Sequence, residues 1–253
     1  MNFCSSPRSR HQLPVTEKEN ATADLRKWAS EIEKATGFGP MKTKQFAFKK
    51  VFYETVREKD ADGYEEEIED YGCFDDGGIL NYIGTKNRSA KWSNPVKSGE
   101  LSVKWSSTGN GSPESNFVTG PKAHPEHPGY SCTKDAKADE WMLLDMGASR
   151  SVNVAHYCLR HDASEGMADG QIRNWELQGS KAEAGPWVTL RRHENDTGLE
   201  HGCVYAVGGW KVQPATDGPF RFIRLFQHGV NADANRSLHC AGLELYGDLY
   251  TME

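Results

Sequence analysis

The stretch Arg173–Leu190, RNWELQGSKAEAGPWVTL, constrains the fold more than any other part of the chain. Trp175 and Leu177 alternate with Asn174, Glu176 and Gln178, the period-two pattern of a strand with one buried face. Trp187 and Leu190 open and close a second strand. Between them, Gly179 to Pro186 supplies glycines, a proline and small polar residues, the chemistry of a turn joining antiparallel neighbours. An aromatic side chain buries about 150–250 Å², so Trp175 and Trp187 are both expected in a core.

The rest of the chain from Gly78 onward repeats this β character. Candidate strands are Ile79–Gly84, Leu101–Trp105, Trp141–Asp145, Val152–Arg160, Phe220–Phe226 and Leu238–Tyr246, in addition to the two of the hairpin. Short runs punctuated by Gly, Pro, Asn and Asp, with no long helix between them, predict an antiparallel sandwich or jelly roll. In Val152–Arg160 both alternating faces are mixed: Val152, Val154, His156, Cys158 and Arg160 on one, Asn153, Ala155, Tyr157 and Leu159 on the other. The glycine pair in Val207-Gly-Gly-Trp210 lacks the ending of a phosphate loop and reads as a turn.

Residues 1–73 differ in kind. Leu25, Trp28, Ala29 and Ile32 recur at helical spacing, and Gly37 with Gly39-Pro40 supplies the stop, so one amphipathic helix is expected over about 22–36. Its apolar face, Leu25, Trp28 and Ile32, must pack on the domain's flank or on a partner. Phe46–Val56 fits strand or helix. Glu58–Asp76 reads as a solvated acidic connector; Glu58, Asp60, Asp62, Gly63 and Glu69 form only an imperfect calcium-loop match. The N-terminus is a polar tail without the apolar run of a secretory signal, and no stretch reaches the length of a membrane span, so an intracellular, most simply cytoplasmic, protein is expected. In that setting the six cysteines, with no CxxC pair, are expected to be free thiols, Cys158 and Cys240 serving as small core hydrophobes. A formal charge of −6 argues against a nucleic-acid partner.

Several motifs stand in order: Gly78-Ile-Leu-Asn-Tyr-Ile-Gly-Thr85, Trp92-Ser-Asn-Pro95, Trp141-Met-Leu-Leu-Asp-Met-Gly147, His156-Tyr-Cys-Leu-Arg-His161, Arg173-Asn-Trp-Glu-Leu-Gln-Gly-Ser180, Asn195-Asp-Thr197 and Gly242-Leu-Glu-Leu-Tyr-Gly247. In sum they resemble the discoidin family, also called the coagulation factor V/VIII type C domain, of the galactose-binding-like superfamily. The closest flavour is the intracellular branch found in HECT-type ubiquitin ligases and BTB or kelch proteins. The resemblance runs from about Phe74 to Leu249, leaving 250–253 as a tail. It implies an all-β antiparallel sandwich of jelly-roll, galactose-binding-like type, with an N-terminal helical extension, whose ligands meet loops at one end. Those loops map to Thr85–Asn94, Gly109–Cys132 and Arg160–Ile172, and the rim residues they supply are Lys86, Arg88, Trp92, His127, Tyr130, Arg160, His161, Asp162 and, just beyond, Arg173. Arginine beside an exposed aromatic suits both a protein hot spot and a sugar. The secreted branch ties its two ends with a disulfide; here the end, Leu245-Tyr-Gly-Asp-Leu249, has no cysteine.

No catalytic constellation is apparent, and no enzyme is expected. Asp145 reads as a structural acceptor for a turn. Arg160, Arg173 and Arg224 fit either ligand contact or pairing with Asp145, Asp162 or Glu244 at strand ends. His124-Pro-Glu-His127 with Cys132 offers three zinc-type ligands without the regular spacing of a closed site, so it is taken as a surface loop, with no metal or cofactor expected. These readings point to a non-catalytic recognition or scaffolding module, an accessory subunit or adaptor with protein partners in a larger assembly, with a carbohydrate-binding lectin using the same rim as the alternative.

Overall fold

A computed structural model describes residues 42–48, 73–109, 112–121, 131–134, 140–162, 170–213 and 215–252. The amphipathic helix over 22–36 with Leu25, Trp28 and Ile32, most of Phe46–Val56, the acidic connector, His124, His127 and Tyr130 lie outside these residues. The unit running from Thr43 to Thr251 is the one described below.

Among the described residues nine strands form two sheets, almost wholly antiparallel, the sandwich anticipated from the sequence. The strands are β1 (Lys42–Phe46), β2 (Ser102–Trp105), β3 (Trp141–Asp145), β4 (Arg150–Arg160), β5 (Trp175–Ser180), β6 (Val188–His193), β7 (Val207–Lys211), β8 (Phe222–Gln227) and β9 (Gly242–Thr251). One sheet has the order β1-β9-β4-β7, the other β2-β3-β8-β5-β6. Between them lies one core, in which Val103, Leu144, Tyr157, Trp175, Leu177, Ile223, Leu225, Leu243 and Leu245 are all buried. The opening hairpin is β5–β6, with Trp175 opposite His193 and Gly179 opposite Val188. Trp175 is fully buried; Trp187 is only half-buried, because it stands in the turn before β6 and carries the Arg224 guanidinium 4.1 Å above its ring rather than core side chains.

The mixed faces of β4 have a physical cause. Its register against β9 shifts between Val154 and His156, so Ala155 is an extra residue and the alternation inverts there. Before the bulge Val152 and Val154 face the core; after it Tyr157 and Leu159 do. Opposite the bulge stands Gly247 at φ +141°, where a Cβ would collide with the Asn153 carbonyl oxygen, so the last glycine of GLELYG is required by close backbone approach.

Three expectations are corrected. Ile79–Gly84 is not a strand but a short helix, α1. The Glu244 carboxylate of β9 accepts hydrogen bonds from the Leu80 N–H (2.8 Å) and the Asn81 N–H (3.0 Å), satisfying donors that the first helical turn leaves open. Burial holds that carboxyl up at about 8, although these bonds and one from the Leu245 N–H pull it down. Val207–Trp210 is part of β7 rather than a turn: its glycines are needed because a Cβ at Gly208 would meet the Gly198 carbonyl oxygen at 2.7 Å and one at Gly209 the Cys73 sulfur at 2.8 Å. Cys73 and Cys158 are not free thiols; they form a disulfide, with Cα atoms 5.7 Å apart, that fastens the segment before α1 to the middle of the β1-β9-β4-β7 sheet. Cys240 is a buried free thiol, as expected of a small core residue.

Candidate functional site

The topology sorts the connections by length. At one end of the sandwich lie the β2–β3 connection (106–140), β4–β5 (161–174), β6–β7 (194–206) and β8–β9 (228–241). At the other end are the shorter β3–β4 (146–149), β5–β6 (181–187) and β7–β8 (212–221) links. Two of the three loops inferred from the sequence belong to the first end. The third, Thr85–Asn94, is tied to it by Asn94, whose Nδ2 donates to the Ser115 and Val118 carbonyls at 3.0 and 2.7 Å. The β6–β7 and β8–β9 connections were not anticipated as part of the site. They carry Val204 and Val230, the two large hydrophobics most plainly exposed among the described residues, at 47% and 40%.

The sequence-derived rim divides into surface and floor. Lys86 and Arg88 are exposed, and Arg88 reaches back to donate to the Asp76 carbonyl at 3.1 Å. Trp92 is half-buried, its ring seated against the space beside Gly84. Arg160, His161 and Asp162, by contrast, are buried. The Arg160 guanidinium lies 4.1 Å over the Phe74 ring and donates to Thr119 Oγ1 at 3.1 Å, so it fixes the 119–121 segment instead of facing solvent. Arg173 is half-buried and donates to the Asp196 and Leu199 carbonyls, stapling the β6–β7 connection to the start of β5. Asp145, one of the acids considered for these arginines, pairs instead with Arg221, at 2.7 and 2.8 Å. Asp145 also accepts the Gly147 N–H, the turn contact expected of it.

Beneath the loops lie two histidine–aspartate groups whose histidines are buried; Asp162 is buried as well and Asp196 partly so. In the first, His193 is sandwiched on Trp175 with ring centroids 4.0 Å apart; its Nε2 meets Tyr157 Oη at 2.7 Å and its Nδ1 meets Asp196 Oδ2 at 2.6 Å. Trp175 Nε1 donates to the same Tyr157 oxygen at 3.0 Å. Burial drives the His193 pKa down, and burial pushes the fully buried Tyr157 hydroxyl up, so both are neutral in the fold. Asp196 is held below the usual carboxylate range: burial opposes ionisation, but the His193 and Gly198 hydrogen bonds outweigh it. An Asp–His–Tyr chain could serve proton transfer only where a reactant reaches it; with Tyr157 at 0% exposure this one is a framework. The NDT motif thus owes its aspartate to His193.

In the second group, Asp162 Oδ2 accepts the Ser131 N–H at 3.0 Å and meets His239 Nδ1 at 3.1 Å, while His239 Nε2 meets Ser237 Oγ at 2.9 Å. His161 Nε2 stands 3.5 Å from Asp162 Oδ1. Residues 131–133 and 238–240 are zipped together, Thr133 N–H to Leu238 O and Cys240 N–H to Ser131 O, so the β2–β3 and β8–β9 connections form one block above the end of β4. Spacing in the chain gave no signal for this cluster, since its members come from three distant segments.

The two-sheet sandwich thus gathers its long connections at one end. No family model matches the chain. Over 202 residues, 78% of its length, it is 31% identical to the E3 ubiquitin-protein ligase hecd-1 of Caenorhabditis elegans. Over 178 residues it is 34% identical to the E3 ubiquitin-protein ligase Ufd4 of Drosophila melanogaster, and over 182 residues 31% identical to the BTB/POZ domain-containing protein At2g30600 of Arabidopsis thaliana. It spans only 7%, 6% and 21% of those proteins' lengths. Similar solved structures include the lectin domain of lectinolysin complexed with Lewis b antigen (19% identity, TM-score 0.42, 57% of this chain and 90% of that one). Another is the family 32 carbohydrate-binding module of Clostridium perfringens NanJ in complex with galactose (15%, 0.41, 58% and 94%). The two-sheet sandwich is the fold that the discoidin-like motifs implied, and the curated relatives are two ubiquitin ligases and a BTB protein.

Among the described residues no helix is long and apolar enough to cross a membrane.

Proposed function

We propose that the chain is a non-catalytic recognition module that binds a protein partner through the loop end of its sandwich, as an accessory or adaptor part of an intracellular, cytoplasmic assembly of the ubiquitin-ligase kind. The observation that carries this reading is the pair Val204 and Val230, exposed on two neighbouring connections of that end. An apolar pair set among polar loops, above a floor that holds those loops rigid, is suited to a partner's apolar anchor. Similarity to segments of two ubiquitin ligases supports the class of assembly. Of the sequence-derived rim, Lys86, Arg88 and Trp92 remain proposed contact residues, and His127 and Tyr130, outside the described residues, are kept with them on the sequence reading alone. Arg160, His161, Asp162 and Arg173 are proposed to act beneath it, as its support. The helix bearing Leu25, Trp28 and Ile32 is proposed as a second partner contact.

The test is native mass spectrometry of the tagged chain expressed in cells, with and without Val204→Glu and Val230→Glu together. A stoichiometric complex lost in the double variant supports the reading; a complex that survives it unchanged defeats it. The second reading, a lectin using the same rim, draws on the exposed cations Lys86 and Arg88 beside Trp92. Micromolar sugar binding on a glycan array, lost on Trp92→Ala, would decide for it.

A further inference from the structure

We infer that Cys132, Asp162 and His239 form a zinc-type metal site that clamps three separate segments at the loop end of the sandwich. One ligand atom from each lies within 4.8 Å of the other two, and all three side chains are buried. They arrive from unrelated places: Cys132 from the end of the β2–β3 connection, Asp162 from just past β4, His239 from just before β9. Cys132 and His239 are held opposite one another by an isolated antiparallel bridge, so two of the three ligands are set by backbone pairing before any cation arrives.

The donor set selects the ion. A thiolate with an imidazole and a carboxylate matches the sulfur, nitrogen and oxygen ligands of Zn²⁺, at about 2.3 Å to sulfur and about 2.0–2.2 Å to nitrogen and oxygen, and not the all-oxygen shells of calcium or magnesium. The surroundings supply what such ligands need. Asp162 Oδ2 is oriented by the Ser131 N–H, and His239 is oriented through Ser237 Oγ, the kind of outer contacts that fix metal ligands. His161, with Nε2 3.5 Å from Asp162 Oδ1, is the side chain at hand for a fourth position. Binding a divalent ion releases the Cys132 thiol proton, since the thiolate is the ligand form. The role of the site is to lock the β2–β3 and β8–β9 connections onto the end of β4.

The test uses the full chain, stripped with a chelator under mild reductant and titrated with Co²⁺ and then with Zn²⁺. Expected are one equivalent bound, a thiolate-to-cobalt charge-transfer band that zinc abolishes, and a Tm raised by at least about 5 °C at zinc a hundredfold above Kd. Cys132→Ser removes the band, and Cys203→Ser keeps it. Asp162→Asn retains an oxygen for the Ser131 and His239 contacts, so it preserves the fold while weakening zinc at least tenfold. Absence of the band in the folded wild type, which needs no variant, overturns the inference; so does its persistence in Cys132→Ser or an unchanged zinc affinity in Asp162→Asn. Because the readout is the metal itself, this result is independent of whether the double valine variant still captures a partner.

Discussion

At the loop-bearing end of the sandwich, Asp162 and His161 are 0% exposed and His193 and His239 are 3% exposed; Asp162 meets His239, the His161 ring stands 5.8 Å from that of His239, and His193 meets Tyr157. At the short-turn end, the Asp145–Arg221 and Lys104–Glu183 pairs have side chains 19–58% exposed. The polar groups at the first end are taken out of water, where losing one partner leaves a buried group unsatisfied at about 1–3 kcal/mol. Charge at the second end stays in water, where an ion pair contributes about 0–1 kcal/mol. The domain therefore invests its polar chemistry in holding long connections still, and merely decorates the ends of its short ones. A binding surface made of loops needs such a floor, since ordering those loops at the moment of binding would otherwise oppose affinity.

The largest effect that tests this contrast is on Trp175, the tryptophan of the hairpin that belongs to the loop end. Trp175→Ala removes a fully buried indole, its stack on His193 and its hydrogen bond to Tyr157. Destabilisation of about 3–5 kcal/mol is expected from urea unfolding; a loss below 2 would mean the framework is not continuous with the core.

Next comes a matched pair of aspartates. Asp196→Ala strips the Nδ1 contact of buried His193 and the acceptor of the Gly198 N–H, and is expected to cost about 1–3 kcal/mol. Asp145→Ala, on the other end, removes a partly exposed bidentate contact with Arg221 and is expected to cost no more than about 1 kcal/mol. Equal losses in the two variants, measured by the same unfolding curves, would erase the distinction between the ends.

These contrasts also show what the sequence could and could not disclose. The hairpin, the bulged strand and the two-sheet architecture were legible because alternation and turn chemistry are local. Helix α1 was not: an apolar Ile-Leu-x-Tyr-Ile run suits a strand equally well, and what decides for a helix is Glu244, 164 residues from Leu80. GILNYIGT and GLELYG, two motifs apart in the chain, are halves of one cap, with Gly78 kept bare by the Glu244 side chain. Strand β7 was hidden by its glycines, which report close backbone neighbours rather than a turn. The Cys132–Asp162–His239 group follows no spacing rule because a sandwich end, not a helix face, collects it. Val204 and Val230 left no trace, since a lone valine in a polar loop has no period.

A smaller and more gradual effect is expected from pH. His156 is pushed down to about 4 by burial and then by the Arg191 charge, and burial lowers His193 too. In the unfolded chain both take up a proton near 6.5. Between about 6.5 and 4 these two histidines bind more protons in the unfolded state than in the native one, so their contribution to stability falls as pH falls through that window. Glu244, held up at about 8 in the fold, contributes the opposite slope above its unfolded value. Asp196, held low in the fold, adds its own loss only below its unfolded value near 3.9. The histidine part of the profile is read by difference: from pH 6.5 to 4 the wild type is expected to decline by about 1–2 kcal/mol relative to His156→Gln, whose replaced side chain stacks on Phe48 outside the two polar groups. Identical slopes would assign the decline to other groups.

The smallest effect belongs to the other tryptophan of the hairpin. Trp187 lies at the short-turn end, half-buried, with the Arg224 guanidinium 4.1 Å above its ring and the same guanidinium donating to Gln178 Oε1 at 2.6 Å. Removing the ring deletes a cation–π contact in partial contact with water and leaves Arg224 its bond to Gln178, so no buried donor is stranded. Trp187→Ala is therefore expected to cost about 0.5–1 kcal/mol, several times less than Trp175→Ala in the same sequence motif. Its midpoint should respond to Arg224→Lys by a comparable few tenths, because an ammonium cannot lie flat on the ring as a guanidinium does. A penalty for Trp187→Ala approaching that of Trp175→Ala would show that the turn end carries core weight after all, and that the polarity between the two ends is one of exposure without consequence for stability.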